Sequence, residues 1–296
     1  MATSQSREPS TGALRVALAT RGHNIDEENA AQLLSMALFD LGAQAVGEDH
    51  GEDGLTLTAG FASLAAANDA KVLLRERHRD LVSSTTTTEV SSSVWVDNQR
   101  DSLEPTTIGR WHIRAPWHPK PNIDPLYDIV IDPGVAFGHG AHPTTRLTIE
   151  LMLDHVTEET APEMTVVDLG TGTGVAAIIA ARLGATVRAV EIDTDALTVA
   201  FLNINRNSCT PFDDVSERIT LISSDAADVP IEPTNLVLAN VTLDVQRLLA
   251  PQLLEARLVL TSGVLRHQVQ SMQDLYPARR ASTIRTSGEW AAIEFS

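Results

Sequence analysis

The C-terminal half of the chain alternates short apolar runs with amphipathic segments. The apolar runs have the length of strands, and runs without polar positions are typical of parallel strands buried on both faces of a sheet. The segments between them carry apolar residues at helical spacing. The predicted strands are 165–169, 186–192, 218–223, 236–239 and 258–261, and the predicted helices are 175–183, 195–207, 242–254 and 266–275. This alternation predicts an α/β fold built on a doubly wound parallel sheet.

Two more strands are predicted at the C-terminus, at 281–286 and 290–295, with no helix between them. Strands joined by a short turn pair antiparallel. The sequence therefore predicts a Rossmann-like doubly wound sheet with an antiparallel hairpin at one edge.

The N-terminal part of the chain follows a less regular pattern. A polar tail covers residues 1–12, and the Ser/Thr-rich segment 83–93 fits either a loop or a Thr-rich edge strand. Periodicity predicts a small α+β arrangement between them. Its elements are strands at 14–19, 43–47 and 55–59 and helices at 26–41 and 62–78.

These patterns divide the chain into two predicted domains. Residues 1–94 form the α+β domain, including the loose tail, and residues 133–296 form the doubly wound domain. Between them, residues 95–132 are punctuated by Trp and Pro and are predicted to be a linker.

Composition narrows the classes of protein. The 296 residues are 43% hydrophobic and 21% charged, as in globular proteins, and the net charge of −17 argues against direct binding of nucleic acid. A cationic partner fits this charge, although a generally acidic surface explains it equally well. The sequence has a single cysteine, Cys209, no apolar stretch long enough to span a membrane, no signal-peptide pattern and no spacing of metal ligands. We therefore expect a cytoplasmic monomer that binds neither a membrane nor a metal ion.

One motif carries the candidate chemistry. The strand at 165–169 contains Asp168 and runs into Gly170-Thr171-Gly172-Thr173-Gly174, directly before a predicted helix. Glycines let the backbone approach a ligand closely, and the helix N-terminus offers free N–H groups. About twenty residues later, at the end of the next strand, Glu191 can accept hydrogen bonds from both hydroxyls of a ribose.

The spacing of the glycines separates two nucleoside ligands. A dinucleotide site reads G-x-G-x-x-G, whereas here the pattern is G-x-G-x-G and Val175 stands at the third glycine position. Asp168 would repel a pyrophosphate but could hold a cationic amino-acid moiety. S-adenosylmethionine, which is cationic and has no phosphate, therefore fits better than a nicotinamide cofactor, which remains the alternative together with a glycine turn that binds nothing.

Asn240 ends the predicted strand 236–239. Ligands of doubly wound sheets bind at the carboxyl ends of the strands. A carboxamide there can accept a hydrogen bond from an incoming amine and direct its lone pair, although Asn at a strand end is also a common turn residue.

The segment 132–145, DPGVAFGHGAHPTT, resembles the D-P-G-x-A-F-G-T-G-x-H-x-T-T signature of the ribosomal protein L-11 methyltransferases, the PrmA family. The resemblance is strong from about Trp111 to the C-terminus and faint before Trp95. It continues through the glycine motif and further short matches. These are Glu191-Ile192-Asp193, Asn203 to Asn207, Ala239-Asn240, Leu249-Ala250-Pro251, Ser262-Gly263-Val264-Leu265 and Gly288-Glu289-Trp290.

The resemblance implies a class I S-adenosylmethionine-dependent methyltransferase. It would methylate lysine ε-amines, the N-terminal α-amine or both on large-subunit ribosomal protein L-11, which the N-terminal domain recognises. By matched position, the implied cofactor residues are Thr145, Gly170, Glu191 and Asn240, with Phe137, His142, Asp168 and Gly172 as neighbours. Asn240 is also the implied catalytic residue.

Simpler roles remain open for two of these residues, since His142 could cap the following helix and Thr145 could stabilise its first turn. The chain departs from the family at His139, where Thr is usual, and at Glu191, where Asp is commoner. Two other functions also stay open: a methyltransferase of this fold for another protein or a small-molecule amine, and a scaffold without activity.

Overall fold

The computed structural model describes residues 10–19, 30–31, 34–35, 37–38, 41–43, 45–51, 54–61, 63–91, 103–134, 136–208, 215–231 and 236–296. The chain divides into two compact units, Met1–Leu103 and Glu104–Ser296. The predicted helix 26–41 lies partly outside the described residues, and residues 1–9, 95–102 and Cys209 lie wholly outside them. In the described part of the chain, no helix is long and apolar enough to cross a bilayer.

The N-terminal unit contains an antiparallel sheet whose four strands lie in the order β2-β3-β1-β4. The helix α1 (Leu64–Arg77) begins where the Ser63 hydroxyl accepts a hydrogen bond from the N–H of Ala66 at 3.2 Å. The Ser/Thr-rich segment forms the edge strand β4, so the strand interpretation is confirmed over the loop. The strands are β1 (Ser10–Leu18), β2 (Ala45–Gly51), β3 (Gly54–Phe61) and β4 (Val82–Ser91).

The C-terminal unit contains a seven-stranded sheet in the order β10-β9-β8-β11-β12-β14-β13. Strands β8 to β12 are parallel, and the hairpin β13–β14 pairs antiparallel at the edge, as predicted. The strands are β8 (Thr165–Leu169), β9 (Thr186–Glu191), β10 (Ile219–Ser223), β11 (Leu236–Asn240), β12 (Val259–Leu265), β13 (Ala281–Ser287) and β14 (Trp290–Phe295).

Helices cover both faces of this sheet, and their apolar residues form two buried clusters with the strands. The helices are α2 (Pro143–Leu153), α3 (Val175–Arg182), α4 (Thr194–Ser208), α5 (Val215–Arg218), α6 (Leu243–Leu249) and α7 (Val269–Leu275). Short 3-10 helices lie at Pro125–Tyr127, Ala161–Glu163, Ala226–Asp228, Gln252–Glu255 and Arg266–Gln268. Chain order reverses between β8 and β11, which is where ligands bind in doubly wound sheets.

The described part of the predicted linker contains regular secondary structure. Residues 104–132 belong to the C-terminal unit, where β5 (Thr106–Ile108), β6 (Trp111–Arg114) and β7 (Asp128–Val130) form a three-stranded sheet. The segment folds onto the main core because its apolar residues, among them Ile113 and Ile129, are buried there. The domain boundaries at 94 and 133 stay a prediction.

Candidate functional site

The glycine turn between β8 and α3 has a backbone that only glycine adopts readily. Gly170, Gly172 and Gly174 have φ of 72°, 54° and 81°. A Cβ on Gly172 would lie 2.4 Å from the carbonyl oxygen of Phe137, and one on Gly170 would lie 2.9 Å from Val241 Cγ1. The turn is therefore packed closely between two other loops at the carboxyl edge of the sheet.

Asp168 holds this turn from inside the protein. The Thr171 hydroxyl donates a 2.6 Å hydrogen bond to Asp168 Oδ2, and the backbone of Ala177 bonds the same carboxyl group. The pKa of Asp168 is raised to about 6, chiefly by burial and also by the charge of Glu191, while the bonds from Thr171 and Ala177 oppose the rise. Its predicted contact with a bound amino-acid moiety stays a prediction.

Glu191 ends β9 beside the glycine turn. The N–H of Gly172 donates to Glu191 Oε2 at 3.0 Å, and the N–H groups of Ile192 and Asp193 donate to Oε1 at 3.0 and 3.1 Å. Three backbone donors thus fix the orientation of the carboxylate. A carboxylate has about four acceptor sites and three are occupied, so Oε2 can still accept a hydrogen bond from a ribose hydroxyl.

Asn240 ends β11, next to Ser262 of β12. Asn240 Oδ1 is buried and has no hydrogen-bond partner among the described residues. A buried acceptor without a partner costs free energy, so this oxygen is a candidate ligand contact. It lies on the opposite side of β8 from Glu191 in the sheet order.

The loop before α2 packs on the glycine turn. Thr173 donates from its N–H to the Phe137 carbonyl at 3.0 Å and from its hydroxyl to the Gly138 carbonyl at 2.7 Å. The rings of Phe137 and Trp290 both meet His142 edge-on, with centroids 4.9 and 5.1 Å away. The loop therefore lies against the turn that carries the candidate site.

His142 is the N-cap of α2, which confirms the capping interpretation. Its Nδ1 accepts a hydrogen bond from the N–H of Thr144 at 3.3 Å, and burial lowers the pKa of the ring to about 4. Thr145 follows in the first turn with a buried hydroxyl that has no partner in the described structure. Like Asn240 Oδ1, this hydroxyl is a candidate ligand contact.

Two supporting residues escaped the sequence analysis. Gln246, fully buried in α6, donates from Nε2 to the carbonyl oxygens of Ala239, the residue before Asn240, at 2.8 Å and of Ser262, which pairs with Asn240 in β12, at 3.3 Å. Thr171 anchors Asp168, as described above. The signal for Gln246 is a polar residue on the otherwise apolar face of its helix, in line with Leu243 and Leu249.

The sheet order, the glycine turn and the acidic end of β9 define a Rossmann-like class I methyltransferase, the class that uses S-adenosylmethionine. The model of the family described as ribosomal protein L11 methyltransferase (PrmA) matches residues 2–296. The chain belongs to this family, which confirms the resemblance seen in the sequence. Membership supports the methyltransferase prediction over the nicotinamide dehydrogenase and the scaffold.

Individual proteins of similar sequence carry the same name as the family. The ribosomal protein L11 methyltransferase of Ralstonia pickettii (strain 12J) is 31% identical over 296 residues, which cover 89% of this chain and 93% of that protein. That of Desulfitobacterium hafniense (strain DSM 10664 / DCB-2) is 35% identical over 193 residues, 62% of this chain. The second alignment spans 57% of the relative, less than two thirds of its length.

A solved structure supports the fold. The ribosomal protein L11 methylase of Lactobacillus delbrueckii subsp. bulgaricus is 24% identical, with a TM-score of 0.52 over 66% of this chain and 97% of that one. Within the residues that the structure covers, no group of three or more His, Cys, Asp or Glu side chains could hold a metal ion.

Proposed function

We propose that this chain transfers methyl groups from S-adenosylmethionine to lysine ε-amines, the N-terminal α-amine or both of ribosomal protein L11. One observation carries the proposal: the Glu191 carboxylate is held 3.0 Å from the N–H of Gly172, while Asn240 Oδ1 is buried without a described partner on the other side of β8. The family match over residues 2–296 supports the choice of substrate.

The residues present fit the donor. Glu191 Oε2 would accept a ribose hydroxyl, Gly170 and Gly172 would let the backbone approach the donor closely, and the free hydroxyl of Thr145 would gain a partner. Phe137 and His142 belong to the loop that would exclude water. When bound, S-adenosylmethionine supplies a methyl group on a positively charged sulfur, which needs no covalent enzyme intermediate.

Asn240 would act on the amine. Its Oδ1 is an acceptor, so it can bond one N–H of the substrate amine and direct the nitrogen lone pair. Because a free lysine has a pKa of about 10.4, its ammonium must first release a proton to water, and burial favours the resulting neutral amine by disfavouring the charged form. Proximity and orientation would lower the free-energy barrier by several kcal/mol.

The remaining expectations belong to the same proposal. A net charge of −17 fits a basic substrate protein and disfavours direct contact with nucleic acid. We propose a cytoplasmic monomer that uses its N-terminal unit to recognise the substrate.

The test combines binding and labelling. Calorimetry with S-adenosylhomocysteine should show binding, and a radiolabelled methyl donor with a ribosomal extract should label one band, ribosomal protein L11. Asn240→Ala should abolish labelling, whereas Asn205→Ala, on the exposed side of α4, should not. Label on a different protein or on a small molecule alone would replace the proposed substrate, and no binding of S-adenosylhomocysteine would refute the function.

A further inference from the structure

His139 lies buried in the loop that packs on the glycine turn, and it has no role in the proposed reaction. Its side chain is 7% exposed, and neither Nδ1 nor Nε2 has a hydrogen-bond partner among the residues that the structure describes. An imidazole offers one donor and one acceptor when it is neutral. Two unsatisfied polar atoms in one buried ring indicate a missing partner rather than packing alone.

The backbone on both sides of His139 fixes its place. Gly138 and Gly140 have φ of 106° and 111°, so the chain turns sharply before and after the ring. A Cβ on Gly138 would lie 3.4 Å from Thr173 Oγ1 and 4.0 Å from Thr145 Oγ1. His139 therefore follows directly on a residue that lies between the glycine turn and the unpartnered hydroxyl of Thr145.

The sheet order gives the side of the site on which His139 lies. The loop leads into α2, which packs on β11, β12 and β14, whereas Glu191 ends β9 on the other side of β8. If Glu191 binds the ribose and Asn240 at the end of β11 orients the amine, the methyl-bearing part of the donor extends over the glycine turn toward β11. The ribose carries adenine on C1′ and the sulfonium with its amino-acid group on C5′, and the methyl group is on the sulfonium, so the amino-acid group lies on the β11 side.

From this placement we infer that His139 binds the amino-acid group of the methyl donor through its ring nitrogens. The inference rests on the proposed function, because it assumes that the donor binds in this site. Burial lowers the pKa of His139 to about 4, with a smaller contribution from His118, so the ring is neutral near pH 7. A neutral ring can donate to the carboxylate or accept from the ammonium of the amino-acid group without burying another net charge.

The test compares two ligands that differ only beyond the ribose. S-adenosylhomocysteine carries the amino-acid group, and 5′-methylthioadenosine lacks it. In calorimetry, His139→Ala should weaken S-adenosylhomocysteine by about tenfold and 5′-methylthioadenosine by less than about twofold. His139→Gln, which keeps one donor and one acceptor, should restore part of the difference. His78→Ala, in the N-terminal unit, is the matched control and should change neither affinity.

Each outcome decides the inference. Equal weakening of both ligands would show that His139 only supports the loop, and no change in either would show that the ring contacts another group. An effect confined to KM for the protein substrate would assign the ring to the amine instead and overturn the inference. Calorimetric stoichiometry reports the folded fraction, so a destabilised variant still gives an affinity ratio. If the wild-type protein binds neither ligand, the proposed function itself fails.

Discussion

Gln246 Nε2 donates a 2.8 Å hydrogen bond to the carbonyl oxygen of Ala239, the residue before Asn240. The same amide nitrogen lies 3.4 Å from the carbonyl of Val241, the residue after it. One buried side chain therefore fixes the backbone on both sides of the proposed catalytic residue. Gln246 is in this sense a positioning residue, since it acts on the reaction only through Asn240.

Gln246→Leu should lower kcat more than it lowers affinity for S-adenosylhomocysteine. The variant removes the donor that fixes the Asn240 turn, and the unpaired carbonyls should cost about 1–3 kcal/mol of stability. We expect kcat to fall by about tenfold and the affinity to change by less than about threefold, from kinetics and calorimetry. Gln270→Leu, on an exposed position of α7, is the control. A kcat that falls only with the folded fraction would contradict the positioning role.

Glu191→Gln should weaken the binding of the methyl donor without unfolding the protein. The amide replaces one carboxylate oxygen by an NH2 group that must face a backbone N–H, so the orientation of the group is lost. We expect S-adenosylhomocysteine to bind about ten- to a hundredfold more weakly, with little change in melting temperature. The exposed Glu217→Gln is the matched control. An unchanged affinity for S-adenosylhomocysteine would show that Glu191 does not bind the donor.

Gly172→Ala should destabilise the C-terminal unit more than Gly109→Ala does. Both residues have positive φ, 54° and 56°, so each variant carries a backbone cost of about 1–2 kcal/mol. Only at Gly172 does the new Cβ meet the Phe137 carbonyl, because the position at Gly109 is open. Denaturant unfolding measures the difference. Equal losses of stability would show that the loop moves away freely.

Asp128→Asn should cost about 3–5 kcal/mol of stability, because it leaves the buried Arg114 without its counter-ion. Arg114 Nε and Nη2 donate to the two carboxylate oxygens of Asp128 at 2.9 and 3.1 Å. The comparison is Asp49→Asn, whose partner Arg15 is exposed; that variant should cost less than about 1 kcal/mol. Similar losses in urea unfolding would mean that burial does not strengthen the pair.

Asp168 should make the stability fall between about pH 4 and pH 6. The pKa of Asp168 is raised from 3.8 to about 6 in the folded chain, so the folded state keeps a proton that the unfolded state has lost. Its stabilising contribution is complete below the unfolded pKa and is lost as pH rises through about 6. The effect is on the order of 3 kcal/mol. Unfolding of the wild type and Asp168→Asn across this range should differ in slope, and parallel curves would contradict the shift.

The sequence predicted the main sheet well because its central strands β8, β11 and β12 are mostly apolar and buried, as parallel strands covered on both faces are. The predicted strand 290–295 matches the observed strand Trp290–Phe295, and the predicted helix 195–207 lies within one residue of the observed helix Thr194–Ser208 at each end. Residues 104–132 were harder, because β5 to β7 have three or four residues each, too few for a periodic pattern. Their burial depends on a core formed by distant residues.

In the candidate site, too, the sequence predicted some features and missed others. Asp168, Gly172 and Glu191 stand at strand ends, where topology alone brings them together, and the structure places Glu191 against Gly172. The burial of Asn240 Oδ1 and the contacts of Gln246 depend on side-chain packing across β11, β12 and α6. Such contacts join residues far apart in sequence, and no local pattern encodes them.

The chain enters the loop over the site from β7, and α4 completes the outer edge of that strand. Asn207 exchanges two hydrogen bonds with the N–H and carbonyl of Val130, at 3.0 and 2.8 Å, and Asn203 does the same with Asp132 at 2.9 and 3.0 Å. Two amide side chains thus imitate a neighbouring strand. The outward N–H and carbonyl groups of Val130 and Asp132 are therefore already bonded and cannot pair with a β-strand of another molecule. This edge beside the site is thus protected from the aggregation that strand pairing causes.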